Sequence, residues 1–321
     1  MYFPRELFID FYQKVQVFDH PFESWRWKPL GPRSTSSERE SWYGNVFDLE
    51  QSLGVAALDL RLSPDAVRAF FVDASRAYYH HILQNITANP LVGEPDKATE
   101  SFFGFGIARD ANAARSFAEL YSRTSAGTSD GDPKVVSKPL HWGVANVLVA
   151  HATGASLEDA GKRLKSIPPS KKLGAKVGAI LEAVRDLALE CATAKSPEPT
   201  KHLRRLAEAN AALWRYDDIG TFEAYLCQWG LALACVARDR GWKMPEEDPH
   251  PSMPLALLRL KPSKVDLSND KFLPPSADMK KRIAVARKEM LALLYPKSPK
   301  KKGSPPGLME ARAGAPMRSA A

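Results

Sequence analysis

The pair Arg76 and His81, in the stretch "RAYYHH", is the arrangement in this sequence whose residue types could carry out catalysis. A histidine can move the proton of a ribose hydroxyl while an arginine stabilises the phosphate charge, which is the chemistry of a metal-independent ribonuclease. Residues five positions apart in a helix differ by about 140° around its axis, so they start poorly placed to converge on one phosphate. With seven histidines in the chain, chance also explains the spacing.

A second short motif, Gly104-Phe105-Gly106 in "FFGFGIARD", has some of the features of a phosphate-binding loop. Such a loop needs a third glycine or a following lysine, and it needs a preceding strand. The sequence supplies none of these. The motif therefore predicts a loop between helices rather than a nucleotide site.

Metal-ligand patterns are missing from the sequence. His141 and His151 stand ten positions apart, which places them about 80° apart around a helix and about 15 Å apart along it. The three cysteines, Cys191, Cys227 and Cys235, lie in apolar helical patterns without metal-ligand spacing, and they are predicted to be reduced core thiols. We expect neither a metal nor another cofactor, and no catalytic residue can be assigned.

The positive charge of the chain is concentrated near its end. The formal net charge is +8, yet residues 261–321 hold 14 basic and 5 acidic residues, so residues 1–260 are close to neutral. A basic tail can contact nucleic acid weakly, although solvation alone also explains it. The amino terminus has no signal-like apolar run, and no stretch has the roughly 18 apolar residues of a membrane span. The sequence predicts a cytoplasmic protein that does not enter the membrane.

Helix signals dominate the chain from Ser63 onward. Ser63 is a predicted helix cap with Pro64 at the first helical position, and apolar residues at three-to-four spacing follow. Asp110 and Ser156 are predicted caps of later helices, and no segment has the period-two pattern of a strand. The expected fold is all-α, an irregular multi-helix bundle or a solenoid-like stack of antiparallel helices.

Changes in composition divide the chain into four parts. Residues 1–62 form an aromatic-rich, irregular segment that we expect to pack on the body. Residues 63–260 form the helical body, and residues 261–296 a linker and a C-terminal helix. Residues 297–321 form a basic tail whose composition is typical of disorder.

The stretch "RDRGWKMPEEDPHPSMPLALLRL" ends an apolar helix at Arg240-Gly241, continues through the acidic residues Glu246, Glu247 and Asp248, and starts a short proline-led helix at Pro254 to Leu258. This order resembles the end of the immunity protein 49 family of bacterial polymorphic-toxin systems. The resemblance covers about forty residues, and the rest of the chain agrees only in being helical. It implies a non-enzymatic cytosolic antitoxin that binds and neutralises a cognate toxin or effector.

The residues themselves suggest where such a partner would bind. Four prolines, at positions 245, 249, 251 and 254, stiffen the stretch, so it loses little entropy on binding. Glu246, Glu247 and Asp248 are therefore the predicted partner-binding residues, facing a basic surface. An ordinary connector between helices remains a second interpretation. A helical scaffold or regulatory module is the alternative function, followed by a ribonuclease that uses Arg76 and His81. The oligomeric state is left open.

Overall fold

A computed structural model describes residues 30, 34–86, 93–124, 139–168, 175–194, 198–213, 226–272 and 275–294. Side chains at 175–177, 211–213 and 293–294 are not described. The start of the aromatic-rich segment, residues 1–29 with Trp25 and Trp27, and the basic tail 297–321 lie outside these residues.

The described part of the chain contains ten α-helices and one 3-10 helix, and no strand, which confirms the all-α prediction. The helices are α1 (Ser36–Asp59), α2 (Pro64–Asn85), α3 (Pro95–Ala108), α4 (Ala111–Tyr121), α5 (Pro139–Thr153), α6 (Leu157–Ser166), α7 (Ala175–Thr193), α8 (Pro199–Leu213), α9 (Gln228–Asp239) and α10 (Ala277–Leu294), and the 3-10 helix is Leu255–Arg259.

Several helices begin where local capping chemistry places them. The Ser63 hydroxyl accepts the backbone N–H of Ala66 before α2, and the Ser156 hydroxyl accepts that of Asp159 before α6. The Asp110 carboxylate accepts two N–H groups of the first turn of α4. Each cap satisfies backbone donors that have no partner inside the helix, which fixes the start of the helix in the sequence.

Helix α3 lies at the centre of a bundle. It packs against α2, α4 and α5, and against α9, which comes more than a hundred residues later in the chain. Helices α6, α7 and α8 pack as sequential neighbours, and α9 also contacts α5, α7 and α8. A solenoid unit contacts only its neighbours along the chain. The return of α9 to α3 therefore makes the architecture a bundle around one continuous apolar core.

The glycine motif lies within α3, so the prediction of a loop there was wrong. A Cβ atom on Gly104 would stand 2.3 Å from the carbonyl oxygen of Phe71, and one on Gly106 would stand 2.7 Å from Sγ of Cys235. These distances are shorter than real Cβ contacts. The two glycines therefore let α3 approach α2 on one side and α9 on another, and the motif serves helix packing.

Residues 36–59, predicted to be irregular, form the longest helix described. Its apolar side chains Trp42, Tyr43, Val46 and Phe47 are buried, and α1 makes its most extensive contacts with α2. The prediction of irregular structure for these residues was wrong, because the capping box of Thr35 and Glu38 starts a regular helix.

After the 3-10 helix, residues 260–272 run across the bundle as a strap. The N–H of Ser263 donates to the carbonyl oxygen of Ala108 at 2.8 Å, and the N–H of Val265 donates to the Asp110 carboxylate at 2.8 Å. Further along, the Arg76 guanidinium donates to the carbonyl oxygens of Asn269 and Lys271. These bonds fasten the strap to α2, α3 and the start of α4.

None of the helices in the described residues is long and apolar enough to cross a membrane.

Candidate functional site

Helix α9 ends at the turn that precedes the acidic stretch. Gly241 has a φ of +77°, a conformation that favours glycine. The N–H of the next residue, Trp242, donates to the carbonyl oxygen of Ala237. The Arg240 guanidinium lies 5.0 Å from the centre of the Trp242 ring and donates to the carbonyl oxygen of Cys191. The exit direction of the chain is thereby fixed against α7.

Residues 245–249, called the acidic loop from here on, are held by the 3-10 helix that follows them. The Arg259 guanidinium donates to the carbonyl oxygens of Pro245, at 2.6 Å, and Glu246. The Asp248 carboxylate accepts the N–H of Leu255 at 2.8 Å and so caps the 3-10 helix. The loop is therefore tied down at both ends, in addition to the stiffness of its prolines.

Glu246, Glu247 and Asp248 are all exposed, as a partner-binding role requires. They are not equivalent, however. The side chains of Glu246 and Glu247 make no hydrogen bond or ion pair with the described residues, whereas the side chain of Asp248 supports the fold through Leu255. Replacing all three at once would disturb the 3-10 helix, so only Glu246 and Glu247 can be changed without losing a contact seen in the structure.

A groove separates the acidic loop from α8. Its volume is about 990 Å³, and residues 198–208 line one wall while Lys243 to Glu246 line the other. A neighbouring hollow of about 650 Å³ shares Arg204, Glu208 and Glu246 and extends along the loop to His250. Together they form one concave surface that follows the acidic loop.

Charges of both signs line this groove, and several have no partner in the described part of the chain. They are Arg204, Glu208, Lys243, Glu246 and Glu247. Others nearby are engaged: Arg205 pairs with Asp186, and Lys201 lies 3.8 Å from Glu198. The groove thus presents solvated charges that are available to a binding partner.

The structure does not bring Arg76 and His81 together on one site. The Arg76 side chain is 9% exposed and pairs with Asp73 at 2.5 Å, and it lies over the Phe272 ring at 5.0 Å. His81 contacts a different element, because its Nδ1 lies 3.1 Å from the carbonyl oxygen of Glu40. Burial lowers the pKa of His81. Arg76 fastens the strap through one terminal nitrogen and binds Asp73 through the other, so neither terminal nitrogen faces His81.

A buried carboxyl group lies near that ion pair. Glu50 in α1 is fully buried and neither of its oxygens has a hydrogen-bond partner. Its pKa is raised well above the ordinary value, first by burial and then by the negative charge of Asp73. Burial therefore favours the protonated form of this side chain, in which a buried carboxyl avoids the cost of an unpaired charge.

The remaining candidates of the sequence do not form a reactive centre. The His141 ring meets the Trp229 ring edge to face, with the ring centroids 4.6 Å apart. The Nε2 atom of His151 lies 3.7 Å from the Asp239 carboxylate. The three cysteines are buried thiols outside any disulfide of the described residues, and burial raises the pKa of Cys191 and of Cys235 to about 12. Within the described ranges, no group of three or more histidine, cysteine or acidic side chains could hold a metal ion.

Two residues of this site were missed at the sequence level, Arg204 and Arg259. Arg204 lies on the 15-residue helix α8 and Arg259 ends the 3-10 helix, and nothing in their sequence context distinguishes them from other surface arginines. Their roles depend on the distance between α8, the acidic loop and the 3-10 helix, which only the folded chain defines.

No family model matches the chain, and neither a curated protein nor a solved structure is significantly similar to it. The resemblance to the immunity protein 49 family stays a prediction from the sequence.

Proposed function

We propose that this protein is an immunity (antitoxin) protein that binds and neutralises a cognate bacterial toxin or effector in the cytoplasm without catalysing a reaction. The proposal combines the order of residues 240–258, which resembles the immunity protein 49 family, with a groove suited to a protein partner. A fold alone does not define a function, so the proposal depends on the exposed residues of the acidic loop.

The observation that supports this proposal best is the state of the acidic loop. The Glu246 and Glu247 carboxylates are exposed and unpaired, while the backbone beneath them is held by Arg259 and Asp248. A pre-formed loop loses little conformational entropy when a partner binds. Exposed carboxylates attract a basic surface, such as the substrate groove of a nuclease toxin, and raise the rate of association.

The alternative is a helical scaffold or regulatory module, and the same groove would then bind a different protein. The genes beside this one separate the two hypotheses, because an antitoxin is encoded next to its toxin. A ribonuclease using Arg76 and His81 is the third hypothesis. Cleavage of labelled RNA by the wild-type protein, lost in His81→Ala, would favour it over the other two.

The decisive experiment uses the toxin domain encoded beside this gene. We expect the purified proteins to form a complex and co-expression to protect cells from the toxin. Glu246→Lys combined with Glu247→Lys should slow association about tenfold at low salt, with a smaller effect at high salt because salt screens the attraction.

The matched control is Glu119→Lys, which reverses an exposed acidic residue on α4 that has no partner in the described residues. It should leave the association rate unchanged within about twofold. A wild-type protein that neither binds nor protects against this toxin would contradict the proposal.

A further inference from the structure

We propose that the strap, residues 260–272, is a detachable cover over Arg76 and His80 that opens while the helices stay folded, and that acid favours the open form. Both side chains are buried when the strap is closed, and both lie next to its residues 269–271. The inference goes beyond the proposed function, because it concerns a conformational change of the chain itself and can be tested without a toxin.

The strap has few apolar anchors. Its backbone forms neither a helix nor a strand, and Val265 is its one buried side chain. Leu260, Leu267 and Phe272 are partly buried against the core, while the side chains at 261–262, 264, 266 and 268–271 are exposed. A segment with so little buried apolar surface opens at a lower free energy than the core of a fold.

Polar contacts of the backbone hold the strap at both ends. Near its start, Arg68 donates to the carbonyl oxygen of Lys261 at 2.6 Å, next to the bonds from the N–H groups of Ser263 and Val265. Near its end, the bonds from Arg76 are joined by the hydroxyl of Tyr43, which lies 3.4 Å from the Asp270 carboxylate.

Phe272 is the aromatic anchor at this second end. The centre of its ring lies 5.7 Å from that of Trp42 and 5.0 Å from the Arg76 guanidinium. Hydrogen bonds can be exchanged with water when the strap opens, whereas the contacts of this ring are lost. The ring of Phe272 should therefore contribute strongly to closure.

Polar atoms beneath the strap have lost water without gaining a partner. The Nε atom of Arg76 and the Nε2 atom of His80 are buried, and neither has a hydrogen-bond partner among the described residues. A buried polar atom without a partner costs free energy, which hydration would return. Opening the strap lets water reach both atoms and so offsets part of the cost of breaking its bonds.

His80 makes the opening sensitive to pH. Its ring stacks on Tyr43 of α1, with the ring centroids 5.2 Å apart. Burial lowers the pKa of His80 below the ordinary value of 6.5. The Asn269 carbonyl group and the Asp270 carboxylate of the strap oppose this shift, and the positive charge of Arg76 adds to it.

The pKa of His80 is lowered on balance, so the closed form binds fewer protons than an open form with a hydrated imidazole. The closed form therefore loses stability as the pH falls below 6.5 towards the lowered pKa. A neutral His80 favours the closed strap, and a protonated His80 favours the open one.

Hydrogen exchange of the strap amides at Ser263 and Val265 tests the proposal in the full-length protein. These amides should exchange faster than those of the central helix α3. His80→Phe keeps a ring beside Tyr43 but cannot ionise, and comparing it with the wild type at each pH cancels the pH dependence of the exchange chemistry. The wild type should open up to about tenfold more, relative to this variant, at about pH 5.5 than at about pH 7.5.

A second variant tests the cover without changing His80. Phe272→Ala should speed exchange at Ser263 and Val265, at the far end of the strap, and leave α3 unchanged. Trp242→Ala is the matched control, because it removes another partly buried ring that lies 5.0 Å from an arginine guanidinium, and it should leave the strap amides unchanged.

The outcomes decide both parts of the proposal. Strap amides that exchange as slowly as those of α3, or an effect of Phe272→Ala confined to the residues beside it, would overturn the detachable cover. A pH response that is missing from the wild type, or that persists in His80→Phe, would overturn the role of acid. Fast strap exchange that increases in acid only when His80 is present supports the proposal.

Discussion

The Arg259 guanidinium donates a hydrogen bond of 2.6 Å to the carbonyl oxygen of Pro245, and a second one to that of Glu246. Arg259 ends the 3-10 helix, and Pro245 begins the acidic loop. A charged donor thus satisfies two carbonyl groups of a segment that, being rich in proline, has few backbone donors of its own. The shape of the loop depends on a residue that lies after it in the chain.

We expect Arg259→Met to loosen the acidic loop without unfolding the protein. The lost bonds are partly exposed, so the cost in unfolding free energy should be about 1 kcal/mol or less. Hydrogen exchange of the amides at residues 246–255 should become faster, while exchange in α4 stays unchanged. Arg115→Met is the control. Unaltered exchange in the loop would show that its prolines alone hold it.

Asp248 should contribute to stability and not only to surface charge. Its carboxylate caps the 3-10 helix by accepting the Leu255 N–H at 2.8 Å, so Asp248→Ala should lower the unfolding free energy by about 1 kcal/mol. Asp248→Asn keeps an oxygen that can accept the same bond and should lose less. Chemical denaturation of the two variants checks this. Equal losses of unfolding free energy in the two variants would mean that the charge of Asp248, and not its hydrogen bond to Leu255, stabilises the fold.

Glu50→Gln should stabilise the protein at neutral pH. The folded-state pKa of Glu50 is raised above the ordinary value of 4.5, so the folded chain holds a proton that the unfolded chain releases. Stability is therefore lost as the pH rises from about 4.5 towards the folded-state pKa. Glutamine has nearly the same shape as glutamate and never ionises. The unfolding midpoint of Glu50→Gln should therefore exceed that of the wild type near neutral pH.

The difference should shrink as the pH approaches 4.5, where the unfolded carboxyl also becomes protonated. Thermal unfolding of both proteins across this pH range is the measurement. Glu119→Gln, at an exposed acidic position, is the control and should show no such trend. A midpoint that is lower in Glu50→Gln at every pH would mean that an ionised Glu50 stabilises the fold.

Arg76→Met should be among the more damaging substitutions in the described residues. It leaves the largely buried Asp73 without its partner and removes the hydrogen bonds from Arg76 that join α2 to Asn269 and Lys271 of the strap. Breaking a buried ion pair on one side costs about 3 kcal/mol or more. The double variant Asp73→Asn with Arg76→Met should lose less than the sum of the two single losses, and a double-mutant cycle by denaturation measures the coupling. Strict additivity would contradict the pairing.

The sequence alone determined the class of fold and several helix boundaries. The caps at Ser63, Asp110 and Ser156 and the stop at Gly241 lie where local chemistry predicts them. These signals could be read because a cap involves residues only a few positions apart, and their preferences do not depend on the rest of the chain. The helix at 36–59 was missed because its aromatic residues and flanking loop signals concealed the capping box at Thr35 and Glu38.

The tertiary structure decided what the charged and special residues do. Arg76 donates to carbonyl oxygens 193 and 195 positions later in the chain. Positions 104 and 106 require glycine because α2 and α9 approach α3 there, so that a larger side chain would not fit. The unpaired charges of Arg204 and Glu246 line one groove only because α8 and the acidic loop come together. Such roles depend on which distant segments meet, and that is set by the burial of the whole apolar core, which no local pattern of residues encodes.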